Sequence, residues 1–153
     1  MSADNPAFSA ITVAGFALWA CSWALESTAD MQKLRFATVS ATTGVKRSCD
    51  VGLWKYSRHP NYFFQWMQWT AVALMCLPEL VDHFGRTNPY SAALLALGLV
   101  GCSLTMYWCL VSYTGAIPAE YYSVQKRPDY RDYQARTNMF FPGPVRRQSH
   151  TTR

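Results

Sequence analysis

Charged side chains are scarce in this chain of 153 residues, because only 15% of them are Asp, Glu, Lys or Arg, against about 25% in an ordinary soluble domain. Half of the residues are hydrophobic. The shortage is concentrated in three windows without any charge, which lie between Asp4 and Glu26, between Arg58 and Glu79, and from Thr87 to Ala119. Each window is close to the ~20 residues that a bilayer-spanning helix needs. The sequence therefore predicts one all-α membrane domain with about three transmembrane helices.

The familiar motifs of soluble enzymes are also missing. The chain has no G-x-G-x-x-G, no Walker loop, no H-E-x-x-H and no G-x-S-x-G. Its cysteine count is odd and shows no spacing typical of zinc, so we interpret the five thiols as small apolar residues: Cys21, Cys49, Cys76, Cys102 and Cys109. We predict no metal site, and a nucleotide site would have to be built in some other way.

Helix boundaries follow from the apolar windows and from proline. Glu26, Asp30 and Lys33 recur at helical spacing, which indicates that the first helix continues beyond its span along one polar face. Pro60 suits the first turn of the second helix, and Pro78 is expected to end that helix. We expect spans over residues 7–25, 61–77 and 90–113. Loops are expected over residues 38–52 and 78–89, and an interfacial helix over residues 117–134. Residues 1–145 should form a single domain, followed by a disordered tail over residues 146–153.

The placement of the basic residues predicts the orientation in the membrane. Of the 14 Lys and Arg residues, six lie between the first two windows, seven follow the third, and only Arg86 lies between the second and third. The positive-inside rule then places the N-terminus outside and both basic segments in the cytoplasm. A nucleic-acid-binding protein would instead carry its basic residues on one continuous soluble face, so we predict no nucleic-acid partner.

The segment "GLWKYSRHPNYFFQWMQW", residues 52–69, combines basic and aromatic residues at the start of the second span. A helix N-terminus attracts anions, and the Arg58 guanidinium fits a phosphate bidentately, with Lys46, Arg47 and Lys55 nearby in the sequence. Seven rings offer flat walls for an adenine or nicotinamide: Trp54, Tyr56, Tyr62, Phe63, Phe64, Trp66 and Trp69. An aromatic belt with basic anchors at the membrane interface explains the same residues.

The run "GLWKYSRHPNYF" closely resembles the signature of the steroid 5-alpha-reductase C-terminal family. The resemblance extends to "ESTADMQKLRF" before it and to "PAEYYSVQKRPDYRDYQARTNMFFP" after it, and so covers nearly the whole chain in order. It implies a polytopic membrane reductase that binds NADPH at the cytoplasmic ends of its helices. Such an enzyme delivers hydride to an activated carbon-carbon double bond of a lipid such as a steroid, a sterol or a polyprenoid.

The resemblance also implies which residues contact the cofactor. Phe64 and Gln65 stand where the relatives usually have Gly-Glu, so an amide replaces an expected carboxylate, and Gln65 and Gln68 are expected to face inward because amides are costly in lipid. No catalytic acid is identified, and neither His83 in the outer loop nor His150 in the tail is expected to be one. The implied cofactor residues are Glu26, Asp30, Lys33, Arg58, His59, Asn61, Tyr62, Gln65, Glu120, Tyr130, Tyr133 and Arg136.

Other interpretations of the sequence stay open. Isoprenylcysteine carboxyl methyltransferases share an R-H-P-x-Y helix opening, which would make S-adenosylmethionine the cofactor. A non-catalytic or fragmentary member of the family is the third hypothesis, because full members carry additional N-terminal helices that supply much of the lipid pocket. If the protein is a reductase, it is either complete as a small form or completed by a partner chain. Glu26 and Asp30 also suit an ion-paired helix boundary, and Tyr130 and Tyr133 suit an interfacial anchor. The expected location is the endoplasmic reticulum in a eukaryote or the inner membrane in a bacterium.

Overall fold

The computed structural model describes residues 10–44, 46–86 and 88–146. Over these residues the protein is helical and contains no strand, which confirms the predicted all-α class, although one isolated parallel bridge pairs Ser57 with Asn138. A 3-10 turn lies before the second helix and a π turn after the third. The elements are α1 (Ala10–Thr43), the 3-10 turn (Gly52–Lys55), α2 (Pro60–Arg86), α3 (Pro89–Trp108), the π turn (Cys109–Tyr113), α4 (Ala116–Lys126) and α5 (Tyr130–Arg136).

Helix α1 continues past its apolar part, as the shared face of its polar residues predicts. It is 34 residues long and ends at Thr43, so the predicted loop over residues 38–52 was wrong in its first six positions. Thr38, Thr42 and Thr43 donate their hydroxyls to backbone carbonyls of the preceding turn, which lets these polar residues remain within the helix. Gly44, with a φ of 70°, then takes the left-handed conformation that commonly ends a helix.

Helix α2 begins at Pro60 as predicted, but Pro78 does not end it. A proline inside a helix removes one backbone hydrogen bond, and long helices in membranes tolerate that loss when other groups compensate for it. The predicted outer loop over residues 78–89 is therefore mostly helix. His83 belongs to α2, and its Nε2 lies 3.0 Å from the Ser91 hydroxyl. Asn88 caps α3 by accepting a hydrogen bond from the backbone N–H of Tyr90.

The predicted interfacial helix over residues 117–134 is two helices instead of one. Pro128 breaks it, because a residue that precedes proline is pushed out of the helical region, and Arg127 is extended with φ −131° and ψ 115°. The third span agrees with its prediction, since α3 and the π turn together cover residues 89–113. Among the predicted tail residues, Arg146 is described, and its backbone N–H donates to the carbonyl of Arg136. Residues 147–153 lie outside the described residues.

Within the described residues, two helical segments are long and apolar enough to cross a membrane: Ala10–Thr43 and Pro89–Lys126. Helix α2, predicted as the remaining span, does not reach that apolarity and packs between α1 and α3. Both segments expose large apolar side chains, among them Phe16 and Trp23 on α1 and Leu94 and Leu97 on α3. These two apolar segments favour a membrane protein.

A small aromatic core joins α2, α3 and the C-terminal segment. Phe140 is 3% exposed and packs edge-on against Phe63, Trp66 and Tyr107. The indole N–H of Trp66 donates to the carbonyl of Ser103, 3.1 Å away. The core fixes the segment after α5 against the start of α2, and that contact positions the site.

Candidate functional site

Arg58 and Glu120 form the buried centre of the polar half of the molecule. The guanidinium donates from Nε to Oε1 of Glu120 at 2.6 Å and from Nη2 to Oε2 at 3.0 Å, with 10% and 9% of the two side chains exposed. Nη1 donates to the carbonyls of Gln134 and Thr137. The bidentate edge that the sequence assigns to a phosphate is therefore occupied by a carboxylate.

Two further side chains complete this arrangement, which we call the Glu120 cluster (Arg58, His59, Glu120, Gln134). The amide of Gln134 donates to Oε2 of Glu120 at 2.7 Å, and Nε2 of His59 lies 3.2 Å from Oε1. Because an ionised carboxylate only accepts, the neutral imidazole carries its proton on Nε2. Burial lowers the pKa of His59 from its ordinary 6.5, and this effect outweighs the nearby carboxylate, which alone would raise the pKa. Tyr62 stacks on the imidazole at 5.3 Å between ring centroids.

Buried aromatic side chains beside the cluster hydrogen-bond to backbone carbonyls of neighbouring elements. The Tyr133 hydroxyl donates to the carbonyls of Trp54 and Ser57, and the Trp54 indole N–H donates to the carbonyl of Ala29 on α1 at 2.9 Å. Burial raises the pKa of both Tyr130 and Tyr133 well above the ordinary value, so both phenols stay neutral. These contacts link α1, the 3-10 turn and α5 into one support.

The acidic residues of α1 face the amides of α2 and do not reach Arg58. Glu26 accepts a hydrogen bond from the amide of Gln68, and Asp30 accepts one from Nδ2 of Asn61 at 3.0 Å. Gln68 thus faces inward, as predicted. Gln65 is half-buried, and its side chain makes no hydrogen bond within the described part of the chain. The side-chain oxygen of Asn61 is buried without a hydrogen-bond partner there. These residues form a polar seam between α1 and α2.

A cavity of about 490 Å³ opens beside the Glu120 cluster, within the 300–1,000 Å³ typical of ligand sites. One wall is a stripe of α1 that presents Lys33, Phe36 and small residues at helical spacing. Among the described residues, no Asp or Glu belongs to the lining. Its six basic residues are Lys33, Lys46, Arg47, Arg58, Lys126 and Arg127. Like charges gathered on a concave surface attract anions, so the cavity is suited to a polyanionic ligand.

Two acidic residues tie the loop after α1 to the end of the chain without entering the cavity lining. Asp129 accepts hydrogen bonds from the backbone N–H and the hydroxyl of Ser48, at 2.8 and 3.1 Å. Asp50 pairs with Arg136 at 2.6 Å, although both side chains of this pair are about 40% exposed. The loop that carries Lys46 and Arg47 is thereby held against the segment that follows α4.

The structure brings some of the predicted cofactor residues to the cavity and places others behind it. Five of them line the cavity: Lys33, Arg58, His59, Tyr130 and Tyr133. Seven do not: Glu26, Asp30, Asn61, Tyr62, Gln65, Glu120 and Arg136. Arg136 pairs with Asp50 instead. Of the seven rings expected to form flat walls, only Trp54 is in the lining, where it is 2% exposed and covered by the ammonium of Lys33 at 4.3 Å.

Sequence reasoning missed one aromatic and two basic residues of the lining: Phe36, Lys126 and Arg127. Lys126 and Arg127 are visible in the sequence as a basic pair directly before Pro128, but their approach to Lys46 and Arg47 depends on the fold. Phe36 follows Lys33 by three positions, which is one helical turn, so the same spacing that grouped the polar residues of α1 could have found it.

The fold and the site together define a helical protein with two membrane-length apolar segments and a cationic cavity beside its buried Arg58–Glu120 pair. The chain belongs to a family of proteins of unknown function, DUF1295, which matches residues 1–137. Comparisons with curated proteins and with solved structures returned no match.

Proposed function

We propose that the protein is a membrane oxidoreductase that uses NADPH to reduce a carbon-carbon double bond of a lipid. The observation that carries the proposal is the cavity lining, with six basic residues and no carboxylate. NADPH carries a pyrophosphate and a 2′-phosphate, and basic side chains are the usual partners of both. The resemblance of residues 52–63 to the steroid 5-alpha-reductase signature supplies the reaction class.

The residues present fit this cofactor in a way that differs from the sequence expectation. Arg58 is committed to Glu120 and two carbonyls, so the phosphate contacts fall to Lys46, Arg47, Lys126 and Arg127. Phe36 is the half-buried ring in the lining and is suited to pack against a base. When bound, NADPH supplies the hydride that adds to one carbon of the double bond, while a proton adds to the other carbon.

The charge of the cofactor distinguishes an NADPH site from the S-adenosylmethionine site of a methyltransferase. S-adenosylmethionine carries a sulfonium and an ammonium, and a site for it needs carboxylates or π faces toward those cations. Glu120 contacts the lining residues Arg58 and His59, but hydrogen bonds with Arg58, His59 and Gln134 already saturate it. The lining therefore favours a nucleotide with several phosphates over a sulfonium cofactor.

The membrane environment completes the proposal. The cavity is built from the two basic segments that the positive-inside rule assigns to the cytoplasm, where NADPH is available. The lipid substrate would come from the bilayer, past the polar seam between α1 and α2, with further helices or a partner chain completing its pocket. In a eukaryote the endoplasmic reticulum is the proposed location, and in a bacterium the inner membrane.

The test uses full-length protein in detergent, titrated separately with NADPH, NADH and S-adenosylmethionine. Ala41 lines the cavity on the exposed side of α1, so Ala41→Trp should fill the cavity without disturbing the packed core. We expect saturable NADPH binding that weakens at least tenfold, about 1.4 kcal/mol, in this variant. Val39, on the same helix but 62% exposed and outside the lining, provides the matched control Val39→Trp, which should bind like the wild type.

Each alternative predicts a different outcome of these titrations. Binding of S-adenosylmethionine alone would favour the methyltransferase. If neither nucleotide nor S-adenosylmethionine bound, the protein would be a non-catalytic member of its family. Equal loss of NADPH binding in Ala41→Trp and Val39→Trp would show that the cofactor does not occupy this cavity.

A further inference from the structure

Four of the six basic residues that line the cavity belong to two dipeptides that are far apart in the sequence. Lys46-Arg47 lies in the loop after α1, and Lys126-Arg127 lies at the end of α4. Both dipeptides line the same cavity, so four positive charges are held together although like charges repel each other. Some contact must hold the two segments in place.

Asp129 provides that contact. Its two carboxylate oxygens accept from the backbone N–H of Ser48 at 2.8 Å and from the Ser48 hydroxyl at 3.1 Å. Ser48 directly follows one dipeptide and Asp129 lies two residues after the other, and Ser48 is only 4% exposed. Although Asp129 directly precedes α5, its side chain does not cap that helix, so the carboxylate is committed to Ser48.

We propose that Asp129 is a positioning residue that assembles a pyrophosphate-binding site from these two dipeptides. The inference rests on the proposed function, and it names the diphosphate linkage of the ligand as the group that the dipeptides hold. A diphosphate gains the most binding free energy when cations already flank both of its phosphates before it binds, because the protein then loses no conformational entropy on binding. A single phosphate needs only one dipeptide and depends less on Asp129.

A positioning role and a purely electrostatic role predict opposite effects of neutralising Asp129 on the binding of pyrophosphate. If Asp129 acted only as a negative charge near the cavity, its neutralisation would strengthen the binding of every anion. If it positions the dipeptides, neutralisation weakens the binding of pyrophosphate, since the amide oxygen can replace only one of the two acceptor atoms and the charge that strengthens both hydrogen bonds is lost.

The experiment measures the binding of inorganic pyrophosphate and of orthophosphate to the full chain in lipid-free detergent by calorimetry. In Asp129→Asn we expect the pyrophosphate affinity to fall about tenfold, the scale of one hydrogen bond to a charged group. The orthophosphate affinity should stay within about twofold or rise, since the local charge becomes more positive. Asp50→Asn is the comparison variant: it removes the same charge from the same loop and also lies outside the lining, but its pair with Arg136 is about 40% exposed and lies on α5 rather than beside Lys126-Arg127. We therefore expect it to lower the pyrophosphate affinity less than Asp129→Asn does.

The outcomes separate this inference from the proposed function. Unchanged or tighter pyrophosphate binding in Asp129→Asn would overturn the positioning role while leaving the cationic cavity intact. A wild-type protein that binds neither anion would overturn both. Ser48→Ala removes the hydroxyl and keeps the backbone N–H, so it should lower the affinity for pyrophosphate by a smaller factor, and it serves if Asp129→Asn does not fold. Where Ser48→Ala has to replace Asp129→Asn, unchanged pyrophosphate affinity in Ser48→Ala would likewise overturn the positioning role.

Discussion

Two groups of basic residues that line the cavity differ in their burial and in their ion pairing. Arg58 is almost fully buried, and its guanidinium donates four hydrogen bonds to Glu120 and to the carbonyls of Gln134 and Thr137. Lys46, Arg47, Lys126 and Arg127, which we call the cavity rim, have no ion pair within the described part of the chain. A buried cation that is saturated by its partners destabilises the fold when one partner is removed, whereas an unpaired cation beside a cavity is available to a ligand.

This difference changes the interpretation of the R-H-P-N-Y run. Arg58 and His59 lie at the start of a helix, where an anion is favoured, but the anion that they bind is the carboxylate of Glu120 from α4. The run therefore organises the site, and the rim residues outside it carry the proposed binding. Variants that affect the two groups differently test the distinction.

The largest expected effect follows from removing the charge of Glu120. In Glu120→Gln the buried guanidinium loses its ion-pair partner, which typically costs about 3 kcal/mol of the free energy of unfolding. The measurement is a denaturation curve in detergent. Asp50→Asn breaks an exposed pair and should cost at most about 1 kcal/mol. Equal losses in the two variants would mean that the Glu120 cluster is no more important to the fold than a surface pair.

A smaller decrease in the free energy of unfolding is expected from Gly115→Ala. A Cβ atom at Gly115 would lie 1.7 Å from the carbonyl oxygen of Leu110, so the chain between the π turn and α4 would have to shift. Because α4 carries Glu120 in its first half and Lys126 at its last position, this shift would disturb both the Glu120 cluster and the rim. We expect a loss of about 2 kcal/mol, the scale of overpacking.

Gly98→Ala is the control for that variant. A Cβ atom at Gly98 has no neighbour within 4 Å, and alanine is the better helix former. Gly98→Ala should therefore keep or slightly raise the free energy of unfolding. If both variants were destabilised alike, the close approach at Gly115 would not be the cause.

Sequence reasoning reached the elements of the fold better than the contacts between them. The extension of α1 and the start of α2 at Pro60 are local patterns of spacing and backbone geometry, and both were confirmed. Pro78 and Pro128 look alike in sequence, but only Pro128 breaks its helix. Which cation is paired depends on a contact across 62 residues, from Arg58 to Glu120, and no local pattern contains that information.

The pH dependence of stability is expected to come partly from His59. Its pKa is lowered in the folded protein, so the unfolded chain binds more protons once the pH falls below the ordinary 6.5. The free energy of unfolding should then decrease as the pH falls from 6.5 toward the lowered value. His59→Gln should flatten this part of the profile measured by thermal unfolding, and an unchanged slope would exclude His59 as its source.

The smallest effect on stability, and the sharpest contrast with Glu120→Gln, is expected from the double variant Lys46→Gln with Lys126→Gln. These side chains have no ion pair to lose within the described residues, so the free energy of unfolding should change by no more than about 0.5 kcal/mol. Pyrophosphate binding should nevertheless weaken by about tenfold or more, since each dipeptide loses one cation.

Lys55 lies near Arg58 in sequence but outside the lining, and Lys55→Gln controls for the loss of positive charge alone. If Lys55→Gln weakened binding as much as either rim substitution did alone, net charge would govern affinity, and the distinction between a structural and a binding group of cations would fail.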